Sequence, residues 1–529
     1  MVKDLENLQT RSSGFRSGED FRHLGLLLGI VLLGAGLRLY HLGTYGLWRD
    51  EAETVFIASA GFPVEISRIL SSSAHAPLYF YLLHFWLGLA GYSEFGVRLL
   101  SALCGIVSVP LIYVAGRELF DRKVGLLAAW IGAVLPLHVA CSRTTRMYTL
   151  LPMLGLLALI FLYRALEKGE KRAWLAYALL AAATMYTHYW GILWVGALSG
   201  YALFQLLWER RPKSGYGAWI LAEIGIAVLF SPYLPILWGQ LQVQESAVGP
   251  WLPQQSIIAT VLRLFNELTA LAWPRGYPYL WVILLALGAF AIRLQRAENV
   301  LSLDIAYPIT PARNLVVAGL ALPMILGPLL ARSQGLLPSY AAMVVFPVLC
   351  LLLALGVIAL HHWLFVLAVL TGISFLWLRA DSRLYQGPIS VLREIAQHVG
   401  KNAGEQDVII VAPDYLAPTF SYYFRGPQPQ AAFPWLPQRV EMVDWAGWAE
   451  RRRRAAEAIP AMLDYIARAR GPSGKIWLIA PLEAYPKDTF FDQIRALKTA
   501  LDAKYRLLEV ILDYRGPVET ADILVYGSD

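Results

Sequence analysis

Charge is what this chain of 529 residues has least of. Asp, Glu, Lys and Arg make up 16% of it, against 57% hydrophobic residues, whereas a soluble domain carries about 25% charged residues. A large soluble helical protein is therefore excluded as a class. Cysteine is also scarce. Cys104, Cys141 and Cys350 all lie in or beside apolar stretches, so neither a disulfide framework nor a thiolate zinc site is encoded, and the redox compartment is not written in them. No cleavable leader is expected either. Residues 1–23 are polar and mixed in charge, and the apolar run after them is too long for a signal h-region. It reads as a retained first span, with 1–23 as a cytoplasmic tail. There is no internal repeat and no matched pair of Gly/Pro-broken apolar segments, which counts against a secondary transporter.

Long apolar runs are what the chain has instead. They fall near 24–42, 76–92, 97–117, 123–140, 147–163, 173–187, 190–208, 217–238, 278–294, 314–331, 340–359 and 363–378. Runs of this length suit a hydrocarbon core about 30 Å thick, so residues 24–379 read as a polytopic all-α membrane domain. The formal charge of +7 belongs to that part. Residues 1–379 hold 27 Lys and Arg against 19 Asp and Glu, and residues 380–529 hold 18 against 19. The excess fits retention of basic loops in the cytoplasm and does not call for a nucleic-acid partner.

Basic clusters set the orientation. They are Arg117, Arg122 and Lys123; Arg164, Lys168, Lys171 and Arg172; Arg210, Arg211 and Lys213; and Arg293, Arg296 and Arg313. With these inside, the first loop, 43–96, is outside, and only one crossing can separate it from Arg117. The run 76–92 is short and carries His75, Tyr79, Tyr81, His84 and Trp86 in or beside it, residues that favour the headgroup region. The expectation is a juxtamembrane helix there and about eleven true spans. Twelve spans with one basic loop on the wrong side is the alternative.

That count puts residues 380–529 outside the cytoplasm. Strand patterns at 407–412, 475–480, 508–512 and 523–526 alternate with helical patterns near 388–400, 448–470 and 485–504, which predicts a small layered α/β domain without a phosphate-binding glycine fingerprint. Arg451–Arg454 reads as a solvated face, with anionic lipid contact as the lesser reading. The aromatics Tyr415, Tyr422, Tyr423, Phe424, Trp435, Trp445 and Trp448 read as core, with stacking on a sugar acceptor as the alternative.

Polar residues gather in the outer loops. The first loop opens Trp48-Arg49-Asp50-Glu51 and adds Glu53, Glu65, Arg68 and His75. Later loops bring Ser142, Arg143, Arg146, Tyr148 and His188, then Gln240, Gln242, Gln244, Glu245, Glu267, Trp273 and Arg275, and finally Arg332 and Tyr340. Ionisable groups at a membrane are expensive and are functional candidates. Arg146 suits phosphate because a guanidinium matches its oxygens bidentately. Against that stand bland roles: snorkelling arginines for Arg98 and Arg146, hydrogen-bonded structural histidines for His75 and His188, and helix capping for Asp50 and Glu51. Asp50, Glu51, His75 and His188 could also assemble a divalent metal site, but no Asp-x-Asp pair is present and the sequence leaves a metal open.

The order of these motifs resembles the GT-C superfamily of membrane glycosyltransferases, in its protein-mannosyltransferase and aminoarabinose-transferase branch. The elements are Trp48–Glu51, His75-Ala76-Pro77-Leu78-Tyr79, Phe95-Gly96-Val97-Arg98, Gly125–Ala129 and Ser142–Tyr148. The match is good over residues 38–190 and loose from 190 to 380. It implies an inverting transfer of a hexosyl or pentosyl group from a polyprenyl-phosphate donor to an acceptor hydroxyl of a lipid, glycan or protein. The resemblance also implies that the transfer takes place on the outer face of a bacterial or archaeal cell membrane. It also implies Asp50 as general base, with Glu51 orienting it, holding a sugar hydroxyl or capping its helix. Donor and phosphate contacts fall to Arg146, then Tyr148 and His75, with Tyr79, Arg98, His188, Arg332 and Tyr340 behind. Two departures stand out. Thr144-Thr145 replace an acidic residue that many relatives carry, and Ser339 stands before Tyr340 where others have Arg. A lipid-linked sugar flippase and a non-catalytic glycan-binding receptor are the competing functions.

Overall fold

The computed structural model describes residues 18–71, 73, 75–208, 213–247, 257–270, 285–289, 292–297, 300–305, 310–331, 339–360, 370–372, 374–375, 377–379, 387, 389–434, 440–443, 450, 454–481, 489–511 and 519–527. The N-terminal part is a helical bundle. Among the described residues six helices are long and apolar enough to cross a membrane, or seven if one bent pair counts as a span. The longest single helix, Glu94–Leu119, has 26 residues and so extends about 39 Å, enough to cross the hydrocarbon core.

The bent pair replaces the single run expected over 123–140. Helix Arg122–Val134 stops at Leu135 and Pro136–Ser142 continues at 60°. Pro136 has no N–H to offer the Gly132 carbonyl four residues back. Arg38, fully buried on the first helix, supplies the donors instead. Its guanidinium reaches the carbonyls of Gly132 (3.1 Å) and Ala133 (2.8 Å), the His138 Nδ1 (2.7 Å) and the Ser142 hydroxyl (3.2 Å). Arg143 returns the favour, donating to the carbonyls of Tyr40 (2.5 Å) and His41 (3.2 Å) just past the end of the first helix, Gly18–Leu39. Those carbonyls have no partners within the helix.

Helix Leu78–Ala90 occupies the run 76–92. Its 13 residues reach about 20 Å, short of a crossing. Both its ends lie on one side of the bundle. His75 precedes it beside Arg146, while Ser93 caps the next helix, whose first residue Glu94 pairs with Arg393 of the C-terminal domain. Along Glu94–Leu119 the charges then separate. Arg98 lies near the end facing that domain, and Glu118 at the far end pairs with Arg164 and Lys168.

Three expectations change. The region 239–277 contains helices, not an open loop: Leu234–Ala247 and Ile257–Ala270. The tail of the run 278–294 is extended. Strands β1 (Ile292–Ala297) and β2 (Val300–Ile305) form an antiparallel hairpin. Third, the predicted C-terminal strands are joined by a short one that the sequence pattern did not mark.

That domain is a five-stranded mixed sheet built from β3 (Val408–Val411), β4 (Gln430–Ala432), β5 (Ile476–Ala480), β6 (Arg506–Ile511) and β7 (Asp522–Gly527), in the order β4-β3-β5-β7-β6. β3 pairs in parallel with β4 and β5, and β7 runs antiparallel to β5 and β6. The apolar strands β3, β5 and β7 are buried along their whole length because helices cover both faces. Leu392–Asn402 and Ala417–Tyr423 pack on one face, and Ile459–Ala469 and Thr489–Asp502 on the other.

Candidate functional site

Asp50 opens a short helix, Arg49–Ala58, in the first loop. Its carboxylate accepts two bonds from the neighbouring Arg49, from Nε at 2.9 Å and Nη2 at 2.8 Å, and its second oxygen stands 4.0 Å from Nη2 of Arg146. One fifth of the side chain remains exposed. Burial pushes the Asp50 carboxyl up, but Arg49 and Arg146 outweigh it and hold the group below its usual 3.8. Asp50 is therefore ionised and still reachable.

Arg146 is the centre of the constellation. It is buried, and donates to the Thr54 hydroxyl at 2.9 Å and the Asp50 carbonyl at 3.4 Å. Its Nη2 lies 3.3 Å from Nε2 of His75, and its guanidinium sits 5.8 Å from the centre of the Tyr148 ring. Among the described residues its Nε has no hydrogen-bond partner. A guanidinium only donates, so His75 must accept at Nε2 and carry its proton on Nδ1. Burial and Arg146 keep His75 well below 6.5 and bring His188 down to about 4, so both rings are neutral. His188 accepts the Trp190 amide at Nδ1 (3.2 Å), which leaves the proton on Nε2, and its ring centre is 6.2 Å from that of Tyr148.

Glu51 and Arg98 have different work. Their fork closes at 2.8 and 2.7 Å, and Glu51 also accepts the amides of Thr145 (2.8 Å) and Trp48 (3.4 Å). Arg98 spends its other donors on the carbonyls of Leu42, Tyr45 and Gly46. All five guanidinium protons are engaged, so none is left for a phosphate. The pair ties the entry of the first loop to the Ser142–Tyr148 segment. Thr145, at the departure from the acidic pattern, contributes its amide to that tie. Tyr79 acts one step back. Its hydroxyl bonds Ser101 Oγ at 2.7 Å, which in turn donates to the Arg146 carbonyl at 2.9 Å.

The structure thus brings Asp50, His75, Arg146, Tyr148 and His188 together and sets Glu51, Arg98 and Tyr79 behind them. Arg332, Trp273, Arg275, Trp435, Trp445, Trp448 and Arg451–Arg453 lie outside the described residues. Tyr340 falls in the turn Ser339–Val345, and its side chain is likewise outside them. Gln240 is buried and fastens the loop before the helix, donating to the carbonyls of Leu70 (2.6 Å) and His75 (3.0 Å). Tyr422 and Tyr423 are half-buried and tie the C-terminal domain to the membrane part. They bond the Tyr92 carbonyl and the Leu47 amide of the membrane part, both at 2.6 Å. Two further groups sit close by, Thr54, which the sequence reading did not single out, and Glu53 of the first-loop set. Thr54 anchors Arg146, and Glu53 is a buried carboxyl raised by burial to about 7, with Arg49 opposing the rise.

Among the described residues no three His, Cys, Asp or Glu side chains gather as a metal-ligand set. The donor atoms do not suit a cation either. Asp50 faces guanidinium groups and Glu51 has its oxygens occupied. Two guanidiniums, Arg49 and Arg146, instead face one firmly ionised carboxylate, which leaves room for another anion.

Residues 74–236 match the family described as dolichyl-phosphate-mannose-protein mannosyltransferase. A putative mannosyltransferase, YkcB of Bacillus subtilis (strain 168), is 26% identical over 165 residues, which cover 29% of this chain and 22% of the relative. The chain thus spans about a fifth of that curated relative's length. ArnT from Cupriavidus metallidurans, solved with undecaprenyl phosphate, superposes with a TM-score of 0.58 over 97% of this chain and 98% of its own, at 13% identity. The oligosaccharyltransferase of Archaeoglobus fulgidus, tethered to an acceptor peptide, gives 0.51 over 96% of this chain and 74% of its own, at 11% identity.

Proposed function

Because the chain has the fold of the GT-C membrane glycosyltransferases, we propose that it moves a sugar from a polyprenyl-phosphate donor to an acceptor hydroxyl, inverting the anomeric carbon. The observation that carries this reading is the pairing of a reachable, ionised Asp50 with a buried Arg146 whose Nε–H has no partner among the described residues. The acceptor oxygen attacks the anomeric carbon, and its proton passes to the Asp50 carboxylate. The bond from that carbon to the phosphate oxygen breaks, and polyprenyl phosphate leaves with the electron pair. Arg146, Tyr148 and the neutral His188, with its Nε2–H, supply donors and charge for the phosphate. Arg49 keeps Asp50 ionised before the acceptor arrives. The first lipid-phosphate contact belongs to this pocket because its charge balance favours one more anion.

Orientation follows from the same reading. The site and the C-terminal domain lie at one end of Glu94–Leu119, and Glu118 with its basic partners at the other. Basic ends face the cytoplasm, so the site, residues 380–529 and the helix Leu78–Ala90 belong outside, with the N-terminus inside and about eleven spans. Incubating the purified full chain with undecaprenyl-phosphate sugars and a panel of lipid, glycan and peptide hydroxyl acceptors, and following release of undecaprenyl phosphate, tests the reading. A product of opposite anomeric configuration, read by NMR, is expected. Retention of configuration, or no release from any donor of a broad panel, overturns it.

A further inference from the structure

The C-terminal domain reaches the catalytic helix directly. Glu519 is buried, and its carboxylate accepts the Arg49 backbone amide at 2.7 Å. That amide belongs to the first turn of the helix carrying Asp50, where N–H groups have no partner within the helix. The Thr419 hydroxyl holds the same carboxylate at 3.2 and 3.4 Å, and Ser390 bonds it as well. The Glu519 amide is tied to the Ile389 carbonyl at 3.2 Å. A second grip lies a few residues earlier. Arg393 donates to the Thr44 carbonyl at 3.0 Å, and Gly46 passes so near that an added Cβ would meet the Arg393 Cβ at 3.0 Å. Tyr415 completes the enclosure, its ring centre 5.8 Å from the Arg49 guanidinium.

We propose that Glu519 is a positioning residue for the transfer reaction. By bonding the Arg49 amide it supplies the missing cap of the Asp50 helix from the other domain, and it fixes where the carboxylate points. Glu51 bonds back to the Trp48 amide at 3.4 Å, but Trp48, at the capping position, has only an indole N–H to offer, so the Arg49 amide finds no side-chain acceptor there. The C-terminal domain is thereby part of the working site and more than a brace for the membrane part. This rests on Asp50 being the base. Burial holds the Glu519 carboxyl near 7, so an acceptor oxygen at this point matters more than its charge.

Three variants of the full chain in detergent separate the outcomes. Glu519→Ala is expected to lower kcat for release of undecaprenyl phosphate from the accepted undecaprenyl-phosphate sugar at least tenfold, with KM for that donor within twofold. Glu519→Asp, one methylene shorter, is expected to show the same split. Glu519→Gln keeps the acceptor oxygen and is expected to restore kcat to within threefold. Hydrogen exchange of the Arg49–Ala52 amides is followed alongside. It should speed up at least tenfold in the Ala and Asp variants, but not in the Gln variant or in the control helix Leu150–Glu167. If Glu519→Ala does not fold, the Asp and Gln pair decides. If the wild type turns over no donor, the activity reading has failed, and exchange alone decides the cap. Unchanged exchange, or equal kcat in the Asp variant and wild type, overturns the proposal.

Discussion

Oδ2 of Asp50 and Nη2 of Arg146 stand 4.0 Å apart, brought together from positions 96 residues distant in the chain. The first is held ionised by its surroundings. The second belongs to a buried guanidinium whose Nε has no hydrogen-bond partner among the described residues. A proton acceptor beside a phosphate-matching donor set is what an inverting glycosyl transfer requires, and the remaining residues of the pocket orient one or the other.

Replacing Arg146 by Lys keeps a charge but loses the planar fork. Charge-assisted hydrogen bonds are worth about 1.5–3 kcal/mol each, so affinity for undecaprenyl phosphate should fall roughly 10- to 100-fold. Titration of the lipid phosphate against tryptophan fluorescence measures it.

Glu51→Gln and Arg98→Met should act on stability first. Removing one partner of a buried, hydrogen-bonded ion pair costs about 3–5 kcal/mol. Both variants are expected to unfold at clearly lower temperature in detergent. A variant of either kind that unfolds like wild type would return Glu51 or Arg98 to the list of substrate contacts.

Glu53 makes a pH prediction. Its folded carboxyl is raised from 4.5 to about 7 by burial. The protonated form is therefore the one favoured by folding. The associated stability is complete below pH 4.5 and is lost as pH rises through 7, a change of about 3 kcal/mol. Glu53→Gln should leave the unfolding temperature unchanged at pH 4.5 and raise it at pH 8.

The activity profile distinguishes the two carboxyls. Asp50 lies below its ordinary value, so loss of the base on acidification belongs below pH 4, and kcat should hold between pH 8 and pH 5. An acid limb centred near 7 would assign the base to Glu53.

The motif block was legible because each element keeps its residues within a few positions. Asp50, His75, Arg146, Tyr148 and His188 could be placed on one face from loop order alone. The partnership of Glu51 with Arg98 was not legible, because nothing local distinguishes a guanidinium facing a phosphate from one closed on a carboxylate 47 residues away. The contact of Glu519 with Arg49 spans 470 residues and joins two domains. In the fold, the buried strands β3, β5 and β7 announced themselves as apolar runs. The three residues of β4, and the break that Pro136 forces and Arg38 accommodates, depend on neighbours that sequence order does not show.

The central claim meets its most direct measurement in Asp50→Asn. The variant is isosteric, and the Arg146 donors remain in place. Undecaprenyl phosphate affinity should stay within threefold of wild type, and sugar transfer should fall by at least a thousandfold, about 4 kcal/mol of barrier. Transfer within tenfold of wild type in the folded variant would contradict it.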